Sequence, residues 1–158
     1  MILIKYIYII YVLIVWGLVF TFIKPQRIKE LLPVSLLSAL VLFASEKYLM
    51  TLGLYSFPNA FLPIFGVPFL HLLWGAGGGI IVMNFIPQSF AKKMFAILIF
   101  TVINGAFEQI PEMYGQAARL GAYSEFHDFI QDLLSLIIFV TISEGLLGKR
   151  IQRYRTNS

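Results

Sequence analysis

The chain has 158 residues, 59% of them hydrophobic and only 13% charged, against roughly 25% charged in an ordinary soluble domain. With a mean hydropathy of +0.83 and apolar runs along its whole length, it leaves no stretch for a water-soluble domain and reads as a multi-pass helical membrane protein. The absence of cysteine excludes disulfides, thiolate metal sites and a cysteine nucleophile. The net charge of +4 comes from basic residues between and after apolar runs, where they act as topology signals and not as a nucleic-acid surface.

A membrane span needs about 20 apolar residues, and five segments reach that length: about 2–23, 31–54, 65–86, 94–114 and 126–147. The expected fold is therefore all-α, an integral membrane bundle of five transmembrane helices. Residues 1–148 form its single domain, and 149–158 a basic cytoplasmic tail. The first segment is not followed by a small-residue cleavage site, so it is read as a retained span. The second is interrupted by Glu46 and Lys47, of which the lysine can snorkel outward while the glutamate pairs inside the bundle. The third carries His71 and the run Gly75-Ala-Gly-Gly-Gly79. That run contains G-x-x-x-G, a packing seam for close helix approach; with no Lys-Ser or Lys-Thr after it, a phosphate loop is rejected. The fourth holds Asn104, Glu108 and Glu112, and the fifth opens on His127, Asp128 and Asp132. Pro33 and Pro68 fit the opening turn of a helix, whereas Pro111 implies a kink or a helix end between the two glutamates.

Basic residues set the orientation. Lys24, Arg27 and Lys29 fall in the first connection, Lys92 and Lys93 in the third, and Lys149, Arg150, Arg153 and Arg155 in the tail, which gathers most of the 12 basic residues on one side. Lys5 and Arg119 fall opposite. By the positive-inside rule the N-terminus is outside and the C-terminus cytoplasmic.

This orientation places seven polar residues in one layer near the outer surface. At about 1.5 Å of rise per residue, Glu46 lies about 12 Å inside its span, and His71, Glu108 and Asp132 each about 9 Å inside theirs. These four are the candidate polar cluster. Glu112, His127 and Asp128 lie closer to water; with Arg119 and Glu125 they read as wetted interfacial groups. A lone histidine at the depth of His71 reads first as a hydrogen-bonded packing residue. Glu108 and Glu112 are four residues apart, as are Asp128 and Asp132, so each pair shares a helix face. Paired carboxylates repel unless a proton, a basic side chain or a cation lies between them, which makes a divalent cation the candidate ligand. The inner halves of the spans offer only Asn84, Asn104 and Glu144.

At Glu30-Leu-Leu-Pro33, at Leu52-Gly-Leu-Tyr-Ser-Phe-Pro58, and at Pro63 and Pro68, the chain resembles a group of small uncharacterised multi-pass membrane proteins of Gram-positive, often spore-forming bacteria. The resemblance covers residues 24–145 in layout and implies a plasma-membrane protein of about five helices without supplying an activity. The chain is more weakly similar to the VanZ-like membrane proteins through Glu108-Gln109 followed by Asp128 and Asp132, although the expected Asn and following Gly are absent. No nucleophile elbow of the G-x-S-x-G type is present. The functional expectation is a non-enzymatic accessory or sensing protein whose partners are the lipid bilayer and another membrane protein or a second copy. The alternatives are a small transporter or binder of a cation or polar solute, and an intramembrane enzyme acting on a lipid or cell-envelope substrate.

Overall fold

The computed structural model describes residues 7–156, with side chains through residue 148. Lys5 and the basic side chains of the tail lie outside the described residues. Five helices carry the architecture: α1 (Ile7–Phe22), α2 (Pro25–Thr51), α3 (Phe69–Phe85), α4 (Phe90–Met113) and α5 (Glu125–Thr156). α2, α4 and the Glu125–Gly148 part of α5 are long and apolar enough to cross a membrane; α1 and α3 are shorter apolar helices.

Local chemistry sets their limits. A proline in the first turn sacrifices no helical hydrogen bond, so α2 starts at Pro25 and the α1–α2 connection shrinks to Ile23 and Lys24. Arg27 and Lys29, expected in that connection, are consequently helical, and Arg27 is buried and pairs with Glu30 at 3.0 Å. Pro33, expected in an opening turn, lies inside α2 because the helix has already begun at Pro25. It faces outward, so the donor it removes disturbs no neighbouring helix. α3 starts later than the apolar run suggests. Phe65 and Gly66, with φ of 50° and 95°, form the tight turn between β2 (Pro63–Ile64) and β3 (Val67–Pro68), and two central residues at positive φ are the favoured hairpin geometry. Pro111 lies in the last turn of α4, which stops at Met113. α5 continues as helix through the basic tail to Thr156.

α3 packs against α1 and α2, α2 also against α5, and α5 against α4. Tyr11 of α1 completes the circuit by donating to the Phe107 carbonyl of α4 at 2.7 Å. The glycine seam of α3 governs its two contacts. A Cβ added at Gly75 would meet Leu42 Cδ2 at 2.5 Å, one at Gly77 would meet Val15 Cγ1 at 2.5 Å, and one at Gly79 would run into the Ser38 Cβ. The Ser38 hydroxyl donates to the Gly75 carbonyl at 2.8 Å, a bond that needs this close approach. Along α3 and α2, Gly79 faces Ser38 and Gly75 faces Leu42; one further step of four residues on each antiparallel helix brings His71 opposite Glu46.

Two cores fill the bundle. One half is aliphatic, built on Val19, Leu31, Val34, Ile80, Met83 and Ile97; the other is rich in aromatics, among them Tyr8, Tyr11, Tyr55, Phe57 and Trp74. At the aromatic end, β1 (Tyr55–Ser56) from the α2–α3 connection pairs antiparallel with β4 (Ala118–Arg119) from the α4–α5 connection, with Tyr55 opposite Arg119. The ribbon is extended by Leu120 N donating to Leu54 O at 2.8 Å and by Asn59 Nδ2 donating to Gly115 O at 2.9 Å.

The seam generates a test with opposite signs at adjacent residues. Gly78 has no atom within 4 Å of an added Cβ, so Gly78→Ala is expected to raise stability by about 0.5–1 kcal/mol through helix propensity. Gly79→Ala is expected to lower it by about 1–3 kcal/mol through overpacking against Ser38. Thermal denaturation of the two variants in detergent checks both directions.

Candidate functional site

Glu46 near the end of α2, His71 in the first turn of α3 and Glu108 late in α4 come together inside the aromatic half of the bundle. They are 5%, 4% and 7% exposed respectively, and one ligand-capable atom from each lies within 4.8 Å of the others. His71 Nε2 stands 3.6 Å from Glu46 Oε1, too far for a hydrogen bond. Neither ring nitrogen of His71 nor Glu46 Oε2 has a hydrogen-bond partner among the described residues. The hydrogen-bonded packing histidine expected from the sequence is therefore not what the fold builds. Buried polar atoms left unpaired cost about 1–3 kcal/mol each.

Aromatic rings hold the imidazole in place. Trp74, one turn further along α3, stacks on His71 with ring centroids 5.5 Å apart and an interplanar angle of 25°. Tyr8 meets the ring at 5.3 Å and Phe57 at 5.6 Å. Tyr55 packs edge-on against Phe57 at 5.2 Å, adding to the covering layer at the ribbon end. Burial, and then the charges of Glu46 and Glu108, push the Tyr55 phenol far above its ordinary value, so it remains neutral.

Asp132, the fourth member of the expected cluster, joins through Glu108, which it contacts directly. Asn104 Nδ2 donates to Glu108 Oε1 at 2.8 Å and to Asp132 Oδ2 at 2.7 Å, so one amide holds a carboxylate from α4 and another from α5. Asp132 and Glu108 also line a cleft of about 390 Å³ between these helices, together with Gly105, Gln109, Arg119 and Asp128.

The outer group divides. Arg119 of β4 places Nη1 2.7 Å from Glu112 Oε2 and 3.7 Å from Glu125 Oε1, while its Nε donates to Asp128 Oδ2 at 2.8 Å. Asp128 is buried, which corrects the expectation of a wetted group: the ribbon carries Arg119 inward over the start of α5 and removes water from the pair. Burial opposes the Arg119 charge, yet the hydrogen bond and charge of Asp128, with Glu112 behind, hold its pKa above the ordinary value. The Tyr123 hydroxyl lies 3.1 Å from Asp128 Oδ1 and 2.5 Å from Gln131 Oε1. His127 is exposed, with Nδ1 2.8 Å from the Ser124 hydroxyl, and stays outside the cluster. In the aliphatic half, Glu144 is paired with Lys93 at 2.6 Å.

Sequence reasoning had placed Asn104 among the deeper polar residues and left its role open; its position four residues before Glu108 was the available signal. It also missed Arg119 as the partner of three carboxylates, although that arginine is the only basic residue between Glu112 and Asp128. Of the rings around His71, Trp74 was signalled by its spacing on α3, whereas Tyr8 and Phe57 had no local signal because they come from α1 and the α2–α3 connection. No family model, curated protein or solved structure matches this chain.

The Arg119 cluster carries its own test. Arg119→Gln strands Asp128 in a buried position and is expected to cost about 3 kcal/mol, as when a buried pair loses one partner. Adding Asp128→Asn to that variant is expected to recover part of the loss. A double-mutant cycle by thermal denaturation in detergent measures the coupling.

Proposed function

We propose that this is a five-span bacterial cell-membrane protein, N-terminus outside and C-terminus cytoplasmic, that binds a divalent cation at Glu46, His71 and Glu108 near its outer surface. It acts as a non-enzymatic accessory or sensing protein. The observation that carries the reading is the buried convergence of two carboxylates and an imidazole with three unpartnered polar atoms among them.

Topology supports the span count. The β1–β4 pairing puts the α2–α3 and α4–α5 connections on the same side, and only α3 and α4 lie between them in the chain. They must both cross or both fail to cross. α4 is long and apolar enough to cross, which supports a crossing by α3 as well despite its shorter helix. The basic residues at the opposite end support the proposed orientation.

Charge supports a divalent ion. Two ionised carboxylates carry a charge of −2, and an ion of +2 makes the assembly neutral in a setting where net charge is expensive. One imidazole with two carboxylates suits zinc, manganese or iron(II) better than calcium, which prefers oxygen alone. A tetrahedral site with bonds of about 2.0–2.1 Å has ligand atoms about 3.3 Å apart, so small side-chain rotations suffice to close the present spacing around an ion. The half beneath the cluster has a largely aliphatic core, and Glu144 there is paired with Lys93, which supports binding over transport.

The test is zinc and manganese binding to detergent-purified protein first stripped with chelator. One ion per chain is expected, with a rise in melting temperature on loading and release on acidification, because carboxylates and imidazole must be deprotonated to bind. Glu46→Gln is expected to abolish binding while leaving the metal-free protein at least as stable, since it removes an uncompensated buried charge. Glu112→Gln is expected to bind normally. Equal metal content in wild type and Glu46→Gln overturns the reading.

A further inference from the structure

Glu125, Asp128 and Asp132 are spaced three and four residues apart, so they occupy one face of α5. All three line the cleft between α4 and α5. Glu125 is at the solvent end, its side chain 73% exposed, and Asp132 lies about 10 Å further along the helix. Glu108 faces them from α4. It is the one cluster residue that also lines the cleft; Glu46 and His71 do not. His71 is packed among the rings of Phe57, Tyr8 and Trp74.

The carboxylates of the cleft are not equivalent. Arg119 neutralises Asp128 and approaches Glu125, whereas Asp132 and Glu108 have no cationic partner among the described residues, lie in contact with each other and both accept from the Asn104 amide. Two adjacent carboxylates repel unless a proton or a cation lies between them, so this pair is suited to receive a cation arriving through the cleft.

Resting on the cation-binding reading above, we infer that the α4–α5 cleft is the entry path of the divalent ion. Asp132 is its first ligand, and Glu108 passes it from the cleft to Glu46 and His71. The ion descends the acidic face of α5 from solvent and exchanges water for the Asp132 carboxylate. It is then drawn to Glu108 across the bridge that Asn104 holds, and the buried cluster is loaded without opening the aromatic cover.

The experiment is stopped-flow loading and chelator-driven release of zinc on the full chain in detergent, comparing wild type with Asp132→Asn and Gly105→Phe. Gly105 lines the cleft and a Cβ added there meets no atom within 4 Å, so a larger side chain is introduced into the cleft. Neither variant alters the three cluster residues. Both are expected to slow loading and release alike, by at least about tenfold or about 1.4 kcal/mol on each barrier, with one zinc per chain still bound at equilibrium. Tyr55→Ala, which thins the ribbon cover, is expected to leave the rates unchanged. Loading at the wild-type rate in both cleft variants, or acceleration by Tyr55→Ala, overturns the cleft as the path while leaving the cation site standing. Failure of the wild-type protein to take up zinc overturns the site itself, and the path with it.

Discussion

The close approach of α3 to α2 over side-chain-free glycines is the constraint on which the rest of this bundle depends. Within a membrane, helix association draws little from the hydrophobic effect and much from van der Waals contact and short interhelical hydrogen bonds. Gly75 and Gly79 let Leu42 and Ser38 against the α3 backbone, and the Ser38 hydroxyl reaches the Gly75 carbonyl. That contact sets the register of two antiparallel helices. Once the register is set, His71 must face Glu46, because both lie one turn beyond a seam contact. The candidate site is thus positioned by packing and not by its own polar interactions, which explains how its polar atoms can remain unpaired.

The two kinds of polar assembly are distinct in physical character. Around Arg119, the guanidinium meets Glu112, Asp128 and Glu125 and ties the β1–β4 ribbon to the start of α5; attraction there offsets the cost of desolvation. Around His71, two carboxylates and an imidazole converge with no basic side chain between them among the described residues. The first assembly has a basic side chain at its centre, which leaves Glu112 Oε1 as its one buried oxygen without a partner among the described residues. The second has ligand chemistry that its own fold leaves unsatisfied, and that contrast separates a fastening from a binding site.

Much of this was legible along the chain. The apolar runs announced helices, and helical rise alone brought Glu46, His71, Glu108 and Asp132 to a common depth, because span length fixes depth when loops are short. Helix limits were less legible: a proline at position 25 started α2 early, and a positive-φ turn at Phe65–Gly66 delayed α3. Asp128 was misplaced among wetted groups because its burial depends on an arginine delivered by another connection. Asp132 was grouped with the other three by depth; its link to Glu108, direct and through Asn104, depends on the packing of α5 against α4.

The sequence by itself determined the all-helical class and the apolar helices, since these depend on composition and on a periodicity local to each segment. Only the tertiary structure decided which groups meet. Depth is a single coordinate, whereas convergence also requires the rotation of each helix about its axis and the order of helices around the bundle. Those are set by contacts between distant residues: Gly79 against Ser38, Tyr11 against Phe107 and Tyr55 opposite Arg119. The same layer of polar side chains could have faced outward in separate places; the α3 seam and the β1–β4 ribbon turned Glu46, His71 and Glu108 toward one another.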